Sequence, residues 1–159
     1  MNDAKPTLRP GPREVRTMIL EDHKELRTRL ARLSECLEVE RLEAHGDELT
    51  NARQHFDKVS RFFAAHIAFE DEFLVPLLRD DFAWGEIRAR AILEHHAEQR
   101  EELADLARLV RSESVDPEGL RANLDTFVSS LAIDMQEEEA GVLRPDILGD
   151  DIVTVEAGA

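Results

Sequence analysis

Six residues of this chain can bind a cation and recur at helical spacing among apolar neighbours: His23, His66, Glu70, His96, Asp134 and Glu138. His66 and Glu70 are four apart, and so are Asp134 and Glu138, so each pair stands one turn apart on one helix face and can reach a common centre. Their neighbours in the pattern are Val15, Ile19, Leu26, Leu30 and Leu33 around His23; Val59, Phe63, Phe73 and Leu77 around His66 and Glu70; Ile92, Leu103 and Leu106 around His96; and Leu124, Phe127 and Leu131 before Asp134. Carboxylates turned into a core cost several kcal/mol each unless paired or bound to a cation. Three imidazoles and three carboxylates without a thiolate suit iron, manganese or zinc, and a carboxylate able to bridge suits a dinuclear iron or manganese centre.

The elements that position these residues read as four helices, with almost no strand signal. The first is expected over about 13–40. A break near His45-Gly46 precedes a second helix to about Arg79, with Pro76 marking a kink or stop. The third is expected over about 83–112. At the start of the fourth, Asp116 caps and Pro117 takes the first helical position; its end falls near Gly141 or Pro145. Short connections between long amphipathic helices predict an all-α, up-down-up-down four-helix bundle over 13–145, with an N-terminal tail at 1–12 and an acidic C-terminal tail at 146–159.

The chain also repeats itself. Glu21 to Leu33 aligns with Glu94 to Leu106, placing His23 on His96 and Arg27 on Arg100. His66-x-x-x-Glu70 before Pro76 then corresponds to Asp134-x-x-x-Glu138 before Pro145. Two related helical hairpins facing each other bring all four polar positions to one level.

Composition narrows the function classes. With 35 acidic and 20 basic residues the net charge is −15, which disfavours nucleic acid and anionic membrane surfaces as partners. No apolar run reaches the ~18 residues that a membrane span needs, and Met1 to Pro12 carries three prolines and no apolar block, unlike a secretory signal. A single cysteine, Cys36, cannot form an internal disulfide and fits a cytoplasmic location. The absence of tyrosine excludes a tyrosyl-radical mechanism.

Several segments resemble the hemerythrin-like (HHE cation-binding) family. His23 in Glu21-Asp22-His23-Lys24-Glu25-Leu26-Arg27 resembles the family's first-helix histidine. His66-Ile67-Ala68-Phe69-Glu70-Asp71-Glu72-Phe73-Leu74-Val75-Pro76 is similar to its second-helix segment, and Glu94-His95-His96-Ala97-Glu98-Gln99-Arg100 to its third. The resemblance implies an iron centre of two ions, or one, that meets O2, peroxide or nitric oxide. The ligands would be His23, His66, Glu70, His96, Asp134 and Glu138, with Glu70 or Glu138 bridging. The fourth helix departs from the family: Asp134-Met135-Gln136-Glu137-Glu138 stands where another His-x-x-x-Glu is usual. Counting back from Pro145 offers Met135 and Glu139 instead, and His95 competes with His96. Carboxylates in place of histidines favour the ferric state and lower the potential. That shifts the expectation from reversible oxygen carriage toward irreversible oxidation, peroxide or nitric-oxide chemistry, or iron sensing and storage. The alternatives are a metal- or redox-responsive module that contacts a protein partner through its tails, and a metal-free bundle in which Asp134 pairs with Arg27 or Arg100.

Overall fold

Pro12 opens the first helix, at a position where its missing N–H costs nothing. In the structure, a computed structural model that describes residues 9–42, 49–112 and 114–149, this helix (α1) runs Pro12–Leu42. The second runs Thr50–Phe69 (α2), widens into a π turn at Glu70–Leu74, and continues as Val75–Asp81 (α3). The third and fourth long helices are Gly85–Arg111 (α4) and Pro117–Ala140 (α5), followed by a short helix at Pro145–Leu148 (α6). No strand occurs among the described residues. α1 packs on α2 and α5, and α4 packs on the same two, which closes an all-α four-helix bundle. The break expected near His45-Gly46 lies outside the described residues.

Local chemistry fixes the ends. Asp116 Oδ2 accepts the Gly119 N–H at 2.9 Å, and Pro117 follows it in the first turn of α5. At the other end of α5 the Leu143 N–H bonds the Glu138 carbonyl at 3.1 Å. Arg16 of α1 donates to the Leu143 carbonyl at 2.6 Å, tying this end to the first helix. Of the C-terminal tail expected at 146–159, residues 146–148 lie instead in α6, where Leu148 is fully buried and packs in one cluster with Val15 and Ile19.

Pro76 neither stops nor interrupts the second helix. The π turn replaces the regular pairing just before it, and the Val75 N–H reaches back to the Glu70 carbonyl. One extra residue in the turn shifts the inward face. Phe73 and Leu77, expected inward, are only half-buried, whereas Leu74, Val75 and Leu78 take the core positions.

The interior is two apolar clusters separated by a polar layer. One cluster contains Leu26, Leu30, Phe56, Phe63, Leu124 and Leu131; the other contains Ile19, Leu74, Leu78, Ile92 and Val142. On every long helix the metal-binding type of residue falls between them, as His23 does between Ile19 and Leu26.

Candidate metal centre

Four of the six candidate ligands converge. His23 from α1, His66 from α2, Glu70 at the start of the π turn and Glu138 from α5 each offer an atom, and these atoms lie within 4.8 Å of one another. His23, His66 and Glu70 are 0%, 3% and 1% exposed, so water cannot satisfy them freely. Glu70 divides its carboxylate: Oε1 faces His66 Nε2 at 3.3 Å and Oε2 faces His96 Nε2 at 3.1 Å. Glu138 Oε2 lies 3.3 Å from His23 Nε2.

Each imidazole is held from behind. His23 Nδ1 donates to Glu139 Oε1 at 2.9 Å, His66 Nδ1 to Asp22 Oδ2 at 3.2 Å, and His96 Nδ1 to Asp71 Oδ1 at 2.6 Å. Ionised carboxylates only accept, so Nδ1 carries the proton and every Nε2 is turned inward. Two of these outer carboxylates are themselves anchored: Arg27 lies 2.8 Å from Glu139, and Arg100 pairs with Asp71.

In the metal-free protein this packing shifts the titrations. Burial alone would lower His23, but Glu138 and Glu139 raise it above the ordinary histidine value; Glu70 and Asp71 do the same for His96 against the same opposing burial. Burial raises Glu70. Glu138 is held below the carboxylate range against its burial by His23, and Glu139 by His23 and Arg27.

A cation fits what the residues leave undone. Besides Arg29 Nε and Arg121 Nε, two buried side-chain polar atoms among the described residues have no hydrogen-bond partner, His23 Nε2 and Glu70 Oε1. Both belong to the converging set, and an orphaned buried donor or acceptor costs about 1–3 kcal/mol. A bound cation would satisfy both.

The other candidates are placed as follows. His96 is 3% exposed and inward, whereas His95 is half-exposed at the α4–α5 cavity wall, beside Asp134. Glu138 turns to the cluster, Glu139 stands behind His23, and Met135 is buried in the apolar core. Asp134 is not in the converging set. Its side chain is 28% exposed; Oδ2 accepts from Gln99 Nε2 at 3.0 Å and lies 3.5 Å from His95 Nε2. Nor does it pair with Arg27 or Arg100, which hold Glu139 and Asp71 instead.

Sequence reasoning did not single out Asp22, Asp71 or Gln99, and offered Glu139 as an alternative ligand, or as a solvated or supporting group, without placing it behind His23. One signal was available: Asp22, Asp71 and Glu139 each adjoin an inward residue, and a step of one along a helix turns a side chain toward the neighbouring helix. A cavity of about 190 Å³ opens beside Glu70, His96 and Glu138 and runs between α4 and α5, past Gln99 and Asp134, to Ala91 and Arg88. Phe63, Ile92 and Leu131 supply an apolar wall. No described helix is long and apolar enough to cross a membrane.

Residues 15–144 match the family model described as the hemerythrin HHE cation binding domain, a span that contains every residue of this centre. No curated protein and no solved structure matches the chain.

Proposed function

This chain belongs to the hemerythrin HHE cation-binding domain family, and on that premise we propose that it is a non-haem iron protein that reacts with, or senses, O2, peroxide or nitric oxide. The observation that carries the reading is the pair of buried, unpartnered atoms, His23 Nε2 and Glu70 Oε1, within one converging set of imidazoles and carboxylates. His23, His66, Glu70 and Glu138 would hold the metal, with His96 facing the second oxygen of Glu70. Mixed nitrogen and oxygen donors without thiolate suit iron, manganese or zinc, and the resemblance to the hemerythrin-like family puts iron first. When bound, iron supplies electrons and an open coordination position for a small ligand.

The chain's own groups do the remainder. Asp22, Asp71 and Glu139 orient the imidazoles. The cavity between α4 and α5 gives a small molecule a path to Glu70 and His96, and its apolar wall limits water. Glu70 and Glu138 bring two negative charges to the converging set, which favours the oxidised metal and supports redox chemistry or sensing.

Anaerobic iron loading followed by metal analysis, with ultraviolet–visible spectra before and after air, tests the reading. Bound iron with new ferric absorption on oxidation is expected, and His66→Ala should abolish both. A chain that retains no metal and whose stability is indifferent to chelator would overturn it.

A further inference from the structure

The centre consists of two half-sites that are near copies, with one pair of residues transposed. Glu138-Glu139 stands to His23 and Arg27 as Glu70-Asp71 stands to His96 and Arg100: in each half the first carboxylate faces Nε2, and the second takes both Nδ1 and the arginine. The repeat also pairs His66 with Asp134, and Asp22, which precedes His23, with His95, which precedes His96. Both of these pairs are in contact. His66 Nδ1 lies 3.2 Å from Asp22, and Asp134 Oδ2 lies 3.5 Å from His95 Nε2. Each half therefore keeps one imidazole–carboxylate pair across the equivalent helix boundary, α1–α2 in one and α4–α5 in the other, but the inner member is an imidazole in one half and a carboxylate in the other.

The exchange has a structural consequence. His66 is 3% exposed and lies among the four converging ligands, whereas Asp134 is 28% exposed and its Oδ2 is engaged by both Gln99 and His95. On that side His96 meets Glu70 Oε2, and no third inward donor joins them among the described residues. The cavity lies beside this incomplete half.

The geometry points to a centre that holds one metal ion firmly, on His23, His66, Glu70 and Glu138, and leaves the half between His96 and Asp134 without a built position for a second ion, as room for an exogenous ligand. The inference rests on the metal-binding reading and fixes the number of ions, which that reading leaves open.

Reversing the transposition tests it. The wild type and the double variant His95→Asp/Asp134→His are loaded anaerobically with ferrous iron, desalted, and assayed for metal per chain, with helical circular dichroism as the check on folding. One ion per chain is expected for the wild type and two for the folded double variant. Two ions retained by the wild type, or one by a folded double variant, overturns the inference. If the double variant does not fold, Asp134→Ala decides: retention of the single ion supports the inference, and its loss makes Asp134 a ligand of that ion and overturns it. Absence of metal from the wild type sinks the metal-binding reading itself, a result distinct from all the others.

Discussion

Glu139 stands behind His23, its Oε1 2.9 Å from the ring's Nδ1. The bond fixes the ring orientation and the tautomer that leaves Nε2 free for a cation. Arg27 holds the same carboxylate oxygen, so the support extends from the surface to the core. Glu139→Gln keeps the shape and removes the charge. Metal affinity should fall about 10–100-fold with helical content unchanged, measured by competition against a chromophoric chelator. Unchanged affinity would mean that the pairing does not tune the site.

Removing the metal should cost stability directly, because the ion binds the folded cluster and not the separated ligands of the unfolded chain. At a free metal concentration of ~100 Kd the difference is about 2.7 kcal/mol. For a chain of this size that corresponds to about 5–11 °C in melting temperature. Thermal melts with and without chelator check this, and identical melts would contradict it.

The size of that effect should depend on pH. In the metal-free chain His23 and His96 are raised, so their stabilisation is complete below the ordinary histidine value of ~6.5 and is lost as pH rises through their folded values. Glu70, raised by burial, also opposes folding increasingly as pH rises above the ordinary carboxylate value. Glu138 and Glu139 are lowered, so their contribution is present above ~4.3 and is lost as pH falls through their folded values. The chelated chain should therefore be most stable between roughly 4.3 and 6.5. Metal binding requires deprotonated ligands and strengthens with pH. The gap between loaded and chelated melting temperatures should widen from about pH 6 to 8, and a gap that narrows over that interval would count against the ligand assignment.

Access through the α4–α5 seam predicts a separation of binding from loading. Ala91 lines the outer part of the cavity and is exposed. Ala91→Trp should slow the binding of azide, a small anionic probe of an open metal position, while metal content stays that of the wild type. Equal azide kinetics in the two chains would show that the ligand reaches the centre by another route.

The helices and most of their inward faces could be read from the sequence because a 3.6-residue period leaves a direct trace in it. His23, His66, Glu70, His96 and Glu138 lie on those faces. The second helix was misread beyond Glu70: a π turn adds a residue without changing composition, so Leu74, Val75 and Leu78 took positions expected of Phe73 and Leu77. Asp134 shows a different limit. Periodicity gives the side of the helix on which a residue lies but not the neighbour it meets, and Gln99 with His95 engages Asp134 at the cavity wall. Asp22 and Asp71 were lost among 35 acidic residues, most of which need no partner.

The position of His96 depends on a contact far from any ligand. A Cβ at Gly85, where α4 begins, would fall 1.6 Å from the Leu78 carbonyl oxygen, and the obstruction is backbone that has no rotamer to change. The Gly85 N–H also bonds the Phe82 carbonyl at 2.9 Å, closing the turn that sets α4 against α3. Gly85→Ala should destabilise by about 3 kcal/mol, the upper part of the range for overpacking, or roughly 6–12 °C in melting temperature. Because α4 would have to move, metal retention should fall as well. Gly119 gives the contrast: it lies in the first turns of α5, and the nearest side-chain atom to its added Cβ is Asp116 Oδ2 at 3.4 Å. Gly119→Ala should be neutral or stabilising by up to about 1 kcal/mol, since alanine favours a helix. Melting curves of the two variants side by side decide the matter, and a Gly85→Ala chain as stable as Gly119→Ala would show that the α3–α4 junction yields more readily than this backbone contact allows.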